Sequence, residues 1–150
     1  MMIAAVAAGC LTIASASFAS ETFSAKVTGV KDGDSLVVSH KGRTVNVDLA
    51  GVHAPTRKAE HGQEARALLM QLAKSQRAEI TVVRTHLADT LVARVMVDGQ
   101  DLATALIKAG LGRPTTEATQ EQLAAADTAK AAQTGIWAKV ANPAATNAGR

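Results

Sequence analysis

The feature that most constrains the fold is a series of short alternating runs between residues 22 and 98. Apolar residues alternate with polar ones in these runs; Val47 and Leu49, for example, flank Asp48. A period of two is typical of β-strands that bury one face. Turn-forming residues separate the runs, at Lys31-Asp32-Gly33-Asp34, Lys41-Gly42 and Asp98-Gly99. The pattern predicts a three-stranded meander followed by two further strands, at residues 80–84 and 91–97.

Three segments carry helical signals. In the first, apolar residues recur every three or four positions, which is the spacing of one helix face. Asp101 is a predicted N-cap of the second helix, and Thr119 with Gln122 forms a capping box for the third. The predicted helices cover residues 62–75, 102–109 and 119 to about 135. Five strands and three helices fit an α+β barrel or sandwich over residues 22–137.

The N-terminal segment has the character of a targeting signal. Its first nineteen residues contain no charged side chain, and the run from Met2 to Ala16 is apolar or small. The run is too short for a membrane span and ends at a small-x-small site, so we interpret residues 1–19 as a secretory signal cleaved after Ala19. The mature chain is then expected to be secreted or periplasmic, without a membrane span. A lipid anchor on Cys10, a retained anchor and an upstream translation start remain as alternatives.

Composition limits the functions of the mature chain. Sixteen Lys and Arg against thirteen Asp and Glu give a formal charge of +3, which is compatible with a polyanionic partner without requiring one. The aromatic residues are Phe18, Phe23 and Trp137, and there is no tyrosine, which disfavours stacking of bases on aromatic rings. We expect Trp137 to be a core anchor and residues 138–150 to form a flexible tail.

Seven short motifs occur in order along the chain. They are Val30-Lys31-Asp32-Gly33-Asp34-Ser35, Leu49-Ala50-Gly51-Val52-His53-Ala54-Pro55, Gly62-Gln63-Glu64-Ala65, Val92-Ala93-Arg94-Val95, Asp98-Gly99, Ala109-Gly110-Leu111 and Gly135-Ile136-Trp137. Together they resemble the staphylococcal nuclease (thermonuclease) family from Phe23 to Trp137. The resemblance implies an α+β fold, a five-stranded OB-fold β-barrel with three helices.

The resemblance also implies a chemistry. Members of that family cleave the phosphodiester backbone of DNA and RNA with calcium held by acidic residues, a glutamate acting on the attacking water, and two arginines on the phosphate. A hard cation prefers oxygen ligands, and arginine matches the negative charge that spreads over a phosphoryl group in the transition state.

Most of the corresponding positions differ in this chain. Asp34 matches the first calcium-ligating aspartate of the D-G-D-[TS] motif. The first arginine corresponds to Asp48, the second aspartate to His53, the glutamate to Thr56 and the second arginine to Thr90. Only Asp34 of these five positions keeps the family residue. We therefore predict no catalytic residue at the family-equivalent positions Asp48, Thr56 and Thr90, and no nucleic-acid-binding residue.

Each of these losses is large. Removal of a general base lowers a rate by about 10²–10⁴, and removal of a phosphate-stabilising arginine by about 10³–10⁵. Arg84 is not a replacement, because it lies at a different strand position from Thr90. The tyrosine of the D-[RK]-Y-G-R loop corresponds to Ala88, so base recognition is affected as well.

A different metal site is the alternative at these positions. A retained barrel would bring Asp34 near His53, and Asp48 would join them. Two carboxylates and an imidazole suit zinc or manganese better than calcium, and Asp34 is the position at which calcium or another divalent metal is expected. Otherwise, Asp32-Gly33-Asp34 is only a hairpin turn, and His53 is a polar loop residue without a ligand.

Three functions follow, and we place them in this order. The first is a secreted binding module, monomeric, that has lost phosphodiesterase activity and binds a protein or an envelope component. The second is a thermonuclease-type endonuclease with an altered metal site. The third is a non-catalytic nucleic-acid binder, which only the weak basicity of the chain supports.

Overall fold

The computed structural model describes residues 20–87 and 89–138. Eight strands and three helices follow one another as β1 (Thr22–Asp32), β2 (Ser35–His40), β3 (Arg43–Leu49), β4 (Val52–His53), α1 (Gly62–Ala73), β5 (Arg77–Leu87), β6 (Thr90–Val97), β7 (Gln100–Asp101), α2 (Leu102–Lys108), β8 (Arg113–Pro114) and α3 (Gln120–Ala131), before a 3-10 helix (Gly135–Trp137). The predicted signal with its cleavage after Ala19, the alternative of a lipid anchor on Cys10, Ala88 and the predicted tail from residue 139 onward lie outside the described residues. In the described part of the chain, no helix is long and apolar enough to cross a membrane.

The five long strands form a closed mixed barrel. Neighbours pair antiparallel in the order β3-β2-β1-β5-β6, and the barrel closes where β3 runs parallel to β6. That seam extends from Asn46 opposite Thr90 to Leu49 opposite Ala93. β7 adds two residues to the edge of β6, while β4 and β8 pair separately. The expected α+β OB-fold barrel with three helices is therefore confirmed.

The core follows the alternation in the sequence. Val47 and Leu49 are buried inside the barrel, whereas Asp48 between them is half-buried and faces away from it. Helix α1 contributes the fully buried Leu69, and α2 contributes Leu106 and its neighbours to the same core. Burial of each such side chain contributes roughly 1.5–3 kcal/mol to stability, so these apolar side chains hold both helices against the barrel.

One buried polar side chain joins the starts of α2 and α3. Gln122 is fully buried, and its Nε2 donates to the carboxylate of Asp101 at 3.0 Å. Its Oε1 accepts from the backbone N–H of Thr119 at 2.9 Å, and the backbone N–H of Gln122 donates to the Thr119 hydroxyl at 3.2 Å. The Asp101 cap and the Thr119 capping box predicted from the sequence are both confirmed.

The bounds of α1, β5 and α3 differ from the sequence prediction by two residues or more. Helix α1 ends at Ala73 because Ser75 adopts a left-handed conformation (φ 64°) and its amide donates to the carbonyl of Val27. Strand β5 is longer than the predicted 80–84, because both its ends find partners on β1 and β6. Helix α3 ends at Ala131, short of Gly135, which begins the 3-10 helix.

The expectation that Trp137 is a core anchor is wrong. Its side chain is only half-buried, and it lies beside the barrel against two cations. The guanidinium carbon of Arg113 is 5.0 Å from the ring centroid, and Nζ of Lys130 is 5.1 Å away. Cation–π contacts with Arg113 of β8 and Lys130 of α3 therefore position the indole, rather than packing in the apolar core.

Candidate functional site

A row of side chains crosses four neighbouring strands on the outer face of the barrel. Ser35 on β2 lies opposite Asp48 on β3, Asp48 lies opposite Val92 on β6, and Val92 lies opposite Arg84 on β5. Residues in register on a sheet share a face, so the four side chains meet in one cleft of about 320 Å³. The cleft is lined by Asp34, Ser35, Asp48, Leu49, Gly51, Val52, His53, Arg84, His86, Val92, Thr115, Thr116 and Glu117.

Asp34 is fixed at the end of a tightly packed turn. A Cβ on the preceding Gly33 would lie 2.8 Å from the Cβ of Ala65 and 2.9 Å from that of Ala54, so only glycine lets this turn approach α1. The amide of Ala54 donates to Oδ2 of Asp34 at 2.9 Å. Nδ1 of His53 lies 3.5 Å from the same oxygen, although the imidazole is 73% exposed. Asp34 and His53 are therefore brought together, as the barrel was expected to do.

Asp48 is connected to Asp34 through a hydroxyl group. Oγ of Ser35 donates to Oδ1 of Asp48 at 2.7 Å, and it lies 3.5 Å from Oδ1 of Asp34. The strand register produces this contact, since Ser35 and Asp48 are direct partners. A carboxylate thus occupies the cleft where the family resemblance placed an arginine.

The cleft also contains residues that the sequence prediction did not include. Nε of Arg84 donates to Oε1 of Glu117 at 2.7 Å, in the connection between β8 and α3. Nη1 of Arg84 is 3.5 Å from Nδ1 of His86, which is two residues away on the same face of β5. The prediction set Arg84 aside because its strand position differs from that of Thr90, but the structure places its side chain in the cleft.

A weak signal for Arg84 and His86 exists in the sequence. They alternate with Val83, Thr85 and Leu87, which assigns them to one face of a strand. Their position relative to β6 is not readable, because irregularities interrupt the β5–β6 pairing between Val82 and Arg84 and again between Thr85 and Leu87.

The two remaining family-equivalent positions lie away from the cleft. Thr56 is exposed in the turn after Pro55, and Thr90 begins β6 opposite Asn46. Neither side chain lines the cleft. Of the predicted site residues, the structure brings together Asp34, Asp48 and His53.

The comparison with known proteins agrees with this architecture. The family model for staphylococcal nuclease homologues matches residues 46–139, more than half of the chain. The chain belongs to this family. The matched segment of this staphylococcal nuclease homologue begins on β3 and includes every cleft residue from Asp48 onward. No curated protein matches the chain.

The donors of this homologue do not fit the calcium that its family implies. Calcium takes about six to eight oxygen ligands. Oδ2 of Asp34 already accepts from an amide, and Oδ1 of Asp48 accepts from Ser35. Among residues 20–87 and 89–138, no group of three or more His, Cys, Asp or Glu side chains is placed to hold a metal ion.

The charge of the cleft is opposite to that of a phosphate site. Three carboxylates, those of Asp34, Asp48 and Glu117, face one guanidinium, that of Arg84. With His53 and His86 neutral, the lining carries a formal charge of −2. A polyanion that approaches this cleft is therefore repelled. The repulsion is stronger than in bulk water, because the surrounding protein screens charges less than water does.

Proposed function

We propose that this chain is a binding module with the staphylococcal nuclease fold that does not hydrolyse phosphodiester bonds. The observation that carries the proposal is Asp48, a half-buried carboxylate on the row of side chains that forms the cleft. Ser35 hydrogen-bonds it at 2.7 Å, so the negative charge is anchored where the family resemblance requires a cation for phosphate. A substrate phosphate at this point would be repelled.

The remaining cleft groups support the same conclusion. Arg84 is the cleft's guanidinium, and Glu117 neutralises it at 2.7 Å. Thr56, in the position of the glutamate that acts on water, has no carboxylate and lies outside the lining. Each defect alone would cost about 10²–10⁵ in rate, and further losses add little once a site is broken.

The partner we propose is a protein or an envelope component, bound by a monomeric module exported from the cytoplasm. The apolar and uncharged residues 1–19 support export. The net negative cleft and the scarcity of aromatic residues argue against a nucleic acid as the partner.

Two observations favour a second function, a nuclease with a rearranged site. Arg84 reaches the cleft from β5, and His53 lies 3.5 Å from Asp34. A substrate that displaced Glu117 would meet a guanidinium able to bind phosphate in a bidentate manner. If this second function is correct, the chain has a phosphodiesterase activity that is lost when Asp34 is replaced.

A cleavage assay with several metals separates the two functions. The full chain and its Asp34→Ala variant are incubated with DNA and RNA in calcium, manganese or zinc. A binding module gives no cleavage above background in any metal, and the variant equals the parent. Cleavage by the parent that is lost in Asp34→Ala would establish the rearranged nuclease instead.

A further inference from the structure

A second groove lies on the barrel away from the cleft. It is about 670 Å³ in volume, roughly twice that of the cleft, and shares no residue with it. Drug-sized ligands generally occupy cavities of about 300–1,000 Å³. We call it the α2 groove; its walls come from β5, β6, α2 and the start of α3.

The strand register and the helix period build the groove. Thr81 and Arg94 are direct partners on β5 and β6, and Met96 follows two residues later on the same face. Ala105 and Lys108 lie on one side of α2, three residues apart. The floor is thus provided by the sheet and one wall by the helix.

Two cations in the α2 groove have no ion-pair partner. In the described part of the chain, neither Arg94 nor Lys108 has a carboxylate oxygen within 4.0 Å. Asp101 lines the groove, but its carboxylate accepts from the amide of Ala103, the hydroxyl of Thr104 and the amide group of Gln122. These hydrogen bonds hold the Asp101 carboxylate at the start of α2 without removing its charge. Both cations are without an ion-pair partner in the groove and are available to a ligand.

The remaining lining restricts the ligand's charge and shape. Glu121 at the start of α3 is an exposed carboxylate on the same groove. With Asp101 it gives the lining two negative charges against the two positive ones, so the groove disfavours a multiply charged anion. Met96 and Ala105 are half-buried apolar groups, and the methylene stems of Arg94 and Lys108 extend that apolar surface. A single negative charge on an apolar body complements this combination.

We propose that the α2 groove binds a small organic monocarboxylate. Its carboxylate is held by the guanidinium of Arg94 and the ammonium of Lys108, and its apolar chain packs on Met96 and Ala105. This site is independent of the cleft and of the proposed loss of phosphodiesterase activity.

The test is an NMR titration of the full chain with octanoate. Saturable shifts of the Arg94, Met96 and Lys108 backbone amides are expected, and octanamide, which lacks the charge, should bind at least about tenfold more weakly. Arg94→Gln and Lys108→Gln, both at exposed positions, should each weaken octanoate binding about two- to fivefold. Arg43→Gln, an exposed arginine at the start of β3, serves as the matched control and should bind as the parent does.

Three kinds of result would overturn the proposal. One is the absence of saturable shifts at millimolar octanoate in a protein whose spectrum shows it to be folded. Another is equal binding of octanoate and octanamide, or equal binding by the parent and both groove variants. The third is inorganic phosphate binding the same amides as tightly as octanoate, because the groove would then not select a monocarboxylate.

Discussion

At the scale of single residues, the cleft is determined by the side chains that share one register row. The neighbours of Asp48 are a hydroxyl on β2 and, across Val92, a guanidinium on β5. Sequence motifs located Asp34, Asp48 and His53, because these residues lie in or beside short motifs with a fixed spacing. They did not locate Glu117, which reaches the cleft from the connection between β8 and α3 and belongs to no motif.

The Arg84–Glu117 ion pair leads to a prediction about polyanion affinity. Glu117→Gln removes the carboxylate that neutralises Arg84, so affinity for a single-stranded oligonucleotide should rise by roughly two- to fivefold. Stability should change by less than about 1 kcal/mol, because the pair is partly exposed. Titrations at several salt concentrations measure the effect. Glu79→Gln makes the same charge change on β5 outside the cleft, and an equal gain for both variants would refute the prediction.

Gly33 provides a second prediction at this scale. Gly33→Ala brings a methyl group within 3 Å of Ala54 and Ala65, and the free energy of unfolding should fall by about 1–3 kcal/mol. Gly29→Ala is the matched control, because its new methyl group would lie 3.9 Å from Cβ of Val37. Urea unfolding followed by Trp137 fluorescence compares the two. Equal stability of both variants would contradict the packing argument.

At the scale of elements, the helix starts are better predicted than the helix and strand ends. Asp101 and Thr119 cap the starts of α2 and α3 through hydrogen bonds to residues two or three positions away, which can be predicted from the sequence. The ends depend on distant partners: Ser75 ends α1 by donating to Val27, and β5 continues to Leu87 because Thr90 lies opposite. Contacts between residues far apart in sequence are not readable from local periodicity.

Gln122 yields the prediction that belongs to this scale. Gln122→Met keeps the length of the side chain but removes its hydrogen bonds to Asp101 and Thr119. Because buried groups then lose their partners, unfolding free energy should decrease by about 1–3 kcal/mol. Gln120→Met, at the exposed first residue of α3, should change it by less than about 0.5 kcal/mol. Thermal or urea unfolding distinguishes the two variants. If Gln122→Met left the free energy of unfolding unchanged, the caps of α2 and α3 would not depend on this side chain.

At the scale of the whole molecule, the fold of the family and its phosphate chemistry depend on different residues. The closed barrel with three helices persists, since it depends on apolar alternation, on glycine at close approaches and on helix caps. The phosphate chemistry depends on a few polar positions that the barrel does not need, among them Asp48, Thr56 and Thr90. The strands and helices were therefore predictable from the sequence pattern and the barrel from the family resemblance, whereas the polarity of the cleft required the register of four strands.

The most direct test of the central claim is the rate at which the full chain cleaves denatured DNA in saturating calcium, beside an ordinary member of the family. An anchored carboxylate at Asp48 and a neutralised Arg84 predict a rate indistinguishable from the buffer background. Calcium-dependent turnover above a tenth of the ordinary enzyme's rate would show that the cleft still performs phosphodiester hydrolysis, and would contradict the account.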